Sequence, residues 1–184
     1  MYKRQAIDFD TAMVGVRKTT DLTDKEFEDM RQTILNMAKE MPASANEIAS
    51  IVEVAGQLGI EKDSLIEFSK TVLDLGNATN LTAEEAANSF ARFANITQMP
   101  QENFENLGST VVELGNNLAT NESEIVDLGT RLAAAGSQAG LTDAEIMGLA
   151  GAMSSVGLSA EAGGSAMSQV MTCLLYTSDA ADEG

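Results

Sequence analysis

Two stretches, Asn121-Glu122-Ser123-Glu124-Ile125 and Ala139-Gly140-Leu141-Thr142-Asp143-Ala144-Glu145-Ile146, hold a helix start, a helix stop and the next start. Asn121 stands three residues before Glu124, and Thr142 three before Glu145. At that spacing the first side chain accepts from a backbone N–H that the new helix leaves unpaired, and the carboxylate reaches back to the cap residue's own N–H. Gly140 stands where a left-handed residue ends a helix, and Leu141 can fold back on the last turn.

The same signs recur along the chain. Thr23 pairs with Glu26, Ser44 with Glu47 and Thr82 with Glu85. Asp63-Ser64, Pro100-Gln101 and Ser159-Ala160 are weaker starts, and Pro100 suits a first turn where its missing N–H costs nothing. Gly59-Ile60 and Gly157-Leu158 repeat the stop, and Gly76-Asn77 reads as a fourth, unless that helix runs on to Thr79. Between the signs the apolar spacing is helical. Phe104, Leu107, Val111, Leu114 and Leu118 form the clearest stripe; Phe27, Met30, Ile34, Met37 and Met41 form another. The expected fold is all-α: about eight short helices in successive antiparallel hairpins, a helical bundle or array. The starts lie about 20 residues apart without forming a strict sequence repeat, and they match no known solenoid.

Composition narrows the function. The chain has 184 residues and a net charge of −17, so its surface repels phosphate backbones and anionic membranes. The basic residues near the start (Lys3, Arg4, Arg17, Lys18) are too scattered to form a patch. No run is long and apolar enough for a spanning helix, and the opening residues do not read as a secretory signal. Histidine is absent. Its absence removes the usual general base and the commonest zinc ligand. Glu84-Glu85 and Glu122 with Glu124 are acidic pairs, but capping accounts for them. Gly163-Gly164-Ser165 lacks the lysine of a phosphate loop and reads as a turn or helix interruption. We therefore expect no catalytic, cofactor-binding or metal-ligating residues and no cofactor. The ten methionines share the leucine stripes and read as core.

Interior glycines are the oddity. Gly108, Gly115, Gly129, Gly136, Gly148 and Gly151 would each cost a helix about 1 kcal/mol against alanine. Either neighbouring helices approach closely there or the helices rearrange; close packing is the expectation.

Cys173 to Glu183 resembles the in-frame translation of a transposase sequencing adapter. On that reading residues 173–184 are not native, the only cysteine is lost, and the protein continues beyond about Thr172. Dropping Asp179, Asp182 and Glu183 moves the net charge to −14.

Met41-Pro42-Ala43-Ser44, Glu47-Ile48-Ala49 and Ala55-Gly56-Gln57-Leu58-Gly59-Ile60 resemble the opening of the core region of phage tail tape measure proteins. The resemblance continues through Leu81 to Ala87, Asn106 to Ser109, Leu114 to Asn117, Thr120 to Ile125, Ala139-Gly140-Leu141 and Glu161 to Met167, covering roughly residues 9–171. It implies a non-enzymatic segment of a phage or prophage tail protein that sets tail length and supports tube assembly. It also implies the tail tube (major tail) protein, tail assembly chaperones and baseplate or distal tail proteins as partners, with homo-oligomers in the tail. The location implied is the host cytoplasm during assembly, then the lumen of the virion tail. Membrane contact is implied only for other regions of such proteins. The alternative is a membrane-active or pore-forming helical module, suggested by the small residues between Ile125 and Met171. The expected divisions are 1–20, a helical and extended lead-in; 21–172, the helical core; and 173–184, the adapter-derived tail. Removing residues 173–184 should leave the thermal midpoint and helical circular dichroism of the chain unchanged; loss of cooperative melting would show that this tail belongs to the fold.

Overall fold

The computed structural model describes residues 2–182, with side chains described for residues 8–173 and Tyr176. Among the described residues it holds nine α-helices: α1 (Tyr2–Thr19), α2 (Asp24–Glu40), α3 (Ala45–Gln57), α4 (Leu65–Ala78), α5 (Ala83–Thr97), α6 (Phe104–Asn117), α7 (Glu122–Gln138), α8 (Asp143–Ser155) and α9 (Ala160–Asp182). A short 3-10 turn, Gln101–Asn103, leads into α6. There is no strand among the described residues. Each of the eight expected starts opens a helix, and α1 precedes them.

The joints are built as expected. Thr23, Thr82 and Thr142 close the full reciprocal pair: their N–H groups donate to Glu26, Glu85 and Glu145 at 2.8, 2.9 and 2.8 Å. The glutamate N–H groups return to the threonine hydroxyls at 3.4, 3.2 and 3.3 Å. Ser44 and Asn121 accept from Glu47 and Glu124 at 3.2 and 3.0 Å. At the stops Gly59, Gly140 and Gly157 have φ of 81°, 79° and 82°. Leu141 N–H donates to Gly136 O and Gly140 N–H to Ser137 O, each at 3.0 Å, so two otherwise orphaned carbonyls are satisfied.

Three expectations are corrected, for Gly76, Gly163-Gly164 and Leu158, and one stop had not been expected. Gly76 is no stop: α4 continues to Ala78, close to the alternative reading that ran it on to Thr79, and the glycine instead lets the next helix start close by, since an added Cβ would lie 2.9 Å from Ala83 N. The stop that ends α5 has no glycine. Gln98 takes the left-handed conformation at φ 60°, held by its side-chain amide on Asn95 O (2.6 Å) and by Met99 N–H on Ala94 O (3.0 Å). Gly163 and Gly164 do not interrupt anything; they lie inside α9, buried against Met153, Leu128 and Arg131. At the third stop the backbone bonds form, but Leu158 stays half exposed instead of folding back.

The chain divides into two compact units: residues 1–78 with 82–91, and residues 79–81 with 92–184. This grouping differs from the divisions read from sequence. In the first unit α3 is central. Ile48, Ala49, Val52 and Ala55 are fully buried, and α1, α2 and α4 pack around them. α1 does not lead away from this unit: Phe9, Met13 and Val16 form a buried stripe, and the helix lies chiefly on α3 instead of on its neighbour α2. Gly56 makes that approach possible, since an added Cβ would meet Thr19 Oγ1 at 2.8 Å and Thr19 O at 3.0 Å. Arg31 adds an ion pair with Asp10 at 2.6 Å and lies over the Phe9 ring, and Arg17 pairs with Asp24 and lies over Phe27. These exposed contacts orient α1 and α2 and contribute on the order of 0–1 kcal/mol each. The side chains of Lys3 and Arg4 lie outside those described.

In the second unit α7 is central, with Ile125, Leu128, Leu132 and Ala133 buried. Here too the closest packing is not limited to chain neighbours, for α9 as well as α8 lies along α7. The reason is again small residues. An added Cβ at Gly129 would meet Met147 Sδ at 2.5 Å, at Gly136 Ile146 Cγ1 at 2.7 Å, and at Gly151 Leu118 Cδ1 at 2.9 Å. Gly148 differs: it sits in mid-α8 with nothing within 4 Å. Met171 is the last buried side chain described, and Cys173 and Tyr176 are exposed.

This contrast sets opposite expectations for two alanine substitutions. Gly136→Ala gains about 1 kcal/mol of helix propensity but forces Ile146 aside, at about 1–3 kcal/mol, so the midpoint of urea unfolding should fall. Gly148→Ala meets no atom and should raise the stability by up to about 1 kcal/mol, and the midpoint with it. Equal effects from the two would mean that close packing does not explain the glycines.

Candidate functional site

The richest polar cluster lies in the second unit, where the start of α7 meets the end of α8. Asn121 caps α7, and Ser123 Oγ donates to Asn121 Oδ1 at 2.8 Å. Asn80 clasps the same turn, its amide donating to Ser123 Oγ (2.9 Å) while its carbonyl accepts from Ser123 N–H (3.2 Å). Ser154 is 5% exposed; its hydroxyl donates to Glu124 Oε2 at 3.0 Å and is hydrogen-bonded to Thr120 Oγ1. A buried hydroxyl left unpaired would cost about 1–3 kcal/mol, which explains why Glu124 turns to Ser154 and leaves its own cap with one bond.

A cleft of about 630 Å³ opens beside the cluster, lined by Ser123, Glu124, Asp127, Arg131, Ser154 and Leu158 among others. Arg131 is engaged with Asp127 one turn earlier at 3.3 Å. The polar atoms here serve caps, a buried serine and an ion pair. The arrangement ties α7 to α8 and to the loop that holds Asn80, and its chemistry is that of a structural polar knot. A second cleft of about 490 Å³ lies in the first unit at the ends of α1 and α3, lined by Thr19, Thr20, Asp21, Gly56, Ile60 and Lys62 among others.

Of the acidic pairs singled out from sequence, Glu85 caps with its carboxylate, while Glu124 bonds Ser154 instead of closing its own cap. Glu85 caps α5, and the Glu84 carbonyl accepts from Asn88 at 2.9 Å. The Glu122 carboxyl lies over Gly115, where a side chain would displace it. Met13, Met30, Met37, Met99, Met147, Met153 and Met171 are buried. Ser69 and Thr97 each hold a buried hydroxyl with no partner. Among the described residues no group of three or more carboxylate or cysteine side chains is placed to hold a metal ion. The knot itself escaped sequence reading, because Asn80 and Ser154 lie 43 and 30 residues from the side chains they bind.

Three capping glutamates carry shifted acidities. Lys62 donates to Glu26 at 2.7 Å, and that bond, with those from Thr23, lowers the Glu26 pKa to about 2. The Thr82 and Thr142 backbone bonds lower Glu85 and Glu145.

The fold and these contacts define an all-helical module whose polar side chains hold its own joints together. Residues 31–184 match the family described as phage-related minor tail protein, and the chain belongs to that family. It is thus a phage tail protein with a structural role in the virion tail. No solved structure shows detectable similarity to it.

A glutamate whose folded-state pKa is depressed stabilises the fold above its unfolded pKa, and that contribution is lost as pH falls through the folded value. The thermal midpoint should therefore decline on acidification from about pH 4.5 towards about 2, the window set by Glu26. Glu26→Gln should lower the midpoint at neutral pH and flatten that decline; an unchanged slope would remove Glu26 as its source.

Proposed function

We propose that this chain is a core segment of a tail tape measure protein, a non-enzymatic element that takes part in tail length determination and tube assembly. The observation that carries the proposal is the ordered motif set of the tape measure core, joined to membership of the minor tail family. Many of those motifs are the joints themselves: Met41 to Ser44 links α2 to α3, Leu58 to Ile60 links α3 to α4, and Ala139 to Leu141 links α7 to α8.

On this reading the chain works with the tail tube protein, the tail assembly chaperones and the baseplate or distal tail proteins, as a homo-oligomer within the tail. It is made in the host cytoplasm and ends in the tail lumen. Residues 173–184 are read as adapter-derived. The membrane-active alternative is not retained. Among the described residues no helix is long and apolar enough to cross a membrane. The small residues that suggested it face the unit's own helices, as Gly129 meets Met147 and Gly136 meets Ile146.

The test is genetic. In the phage or prophage that carries the gene, an in-frame deletion of residues 21–172 should abolish tails or alter their length, scored by electron microscopy. Tails of normal number and length would overturn the proposal.

A further inference from the structure

The eight helix starts fall into two matching sets. The first four (23, 44, 63, 82) and the second four (100, 121, 142, 159) differ by 77, 77, 79 and 77 residues. We infer that the chain is a tandem duplication of a four-helix unit with a 77-residue period, α1–α4 followed by α5–α8, and that α9 matches the opening helix once more.

Side-chain burial follows the period from α1 to α3. Across α2 and α6, Phe27 aligns with Phe104, Met30 with Leu107 and Ile34 with Val111; Met30, Ile34 and all three α6 residues are buried. Across α3 and α7, Ile48, Ala49, Ile51, Val52 and Ala55 align with Ile125, Val126, Leu128, Gly129 and Leu132, and all ten are buried. The opening helices share a stripe: Phe9, Met13 and Val16 align with Ala86, Phe90 and Phe93, all buried. Leu81-Thr82-Ala83-Glu84 aligns with Leu158-Ser159-Ala160-Glu161.

Local geometry repeats independently of burial. The residue ending α2, Met41, has φ −108° and ψ 152°; its counterpart Leu118, ending α6, has φ −112° and ψ 158°. Their N–H groups bond back four residues at 2.8 and 2.9 Å. Thr33 donates to Asp29 O at 2.9 Å, and its counterpart Thr110 donates to Asn106 O at 2.8 Å. Neither pair of bonds is dictated by the core.

One departure has a simple cause. α7 has 17 residues and α3 has 13, so Gly140 follows Gly59 by 81 positions. Four residues are about one helical turn, so the insertion lengthens α7 while keeping its buried face in phase. The register returns to 77 by Leu158. The repeat therefore holds in helix order throughout and in the buried face from α1–α3 to α5–α7, while few residues are identical; Phe27 and Phe104, Thr33 and Thr110, and Glu47-Ile48 and Glu124-Ile125 are among those that are.

A pair of grafts in the full chain tests the duplication. In one, residues 21–57 are replaced by a copy of 98–134, in register; in the other by a copy of 96–132, shifted by two residues. A two-residue shift turns each apolar face by about 200°. The in-register graft should keep a single cooperative thermal transition and strong helical circular dichroism, and the shifted graft should lose both. The proposal is overturned if the two grafts melt alike or the shifted one survives better. An experimental structure of the unaltered chain in which α2–α3 does not superpose on α6–α7 at this offset would overturn it as well.

Discussion

Short helices cannot carry their own ends. A helix of 13 to 17 residues, as α2 to α8 are, is marginal in water, and each terminus leaves backbone groups without partners. The rest of this structure depends on how the joints meet that demand. A threonine, serine or asparagine accepts from the incoming helix, at three joints a glutamate closes the pair, and at three joints a left-handed glycine returns two N–H groups to the outgoing helix. With ends satisfied in this local way, each helix can turn its apolar face to a partner while its joints remain at the surface.

The partner is chosen by shape. Methionine, alanine and glycine dominate where larger and stiffer side chains might have stood, so backbones come close. α3 and α7 collect their neighbours because small residues on these helices, or facing them, remove the side chain that would hold a neighbour away. Gly56 lets α1 lie on α3; Gly129 and Gly136 let α8 lie on α7. The same economy explains the lack of conspicuous chemistry. Glu26, Glu85 and Glu145 are spent on caps, and a polar cluster around the buried Ser154 ties the start of α7 to the end of α8. An assembly element of a phage tail has to keep its joints and its surface; a knot of this kind serves the first need.

A duplicated unit gives these observations a common frame. The two central helices are counterparts at the 77-residue offset, as are the joints that precede them. Both central helices gather a helix of the opening type, but α3 takes the one before it, α1, and α7 takes the one after it, α9.

The sequence by itself determined the all-helical class, the helix order and nearly every boundary, while its count of about eight falls one short of the nine helices among the described residues. Those features depend on contacts within a few residues: Thr142 to Glu145, Gly140 to Gly136. Its one failed stop and its one missed stop have physical reasons. Gly76 was used for close approach to Ala83, and Gln98 reached a left-handed conformation by bonding its side chain to Asn95 O. Tertiary structure alone decided that α1 lies on α3, that α9 lies on α7 and that Asn80 and Ser154 complete the knot around Glu124. These pairings join residues tens of positions apart, where no spacing rule reaches. They are settled by which small-residue faces fit together and by which buried hydroxyl must find a partner.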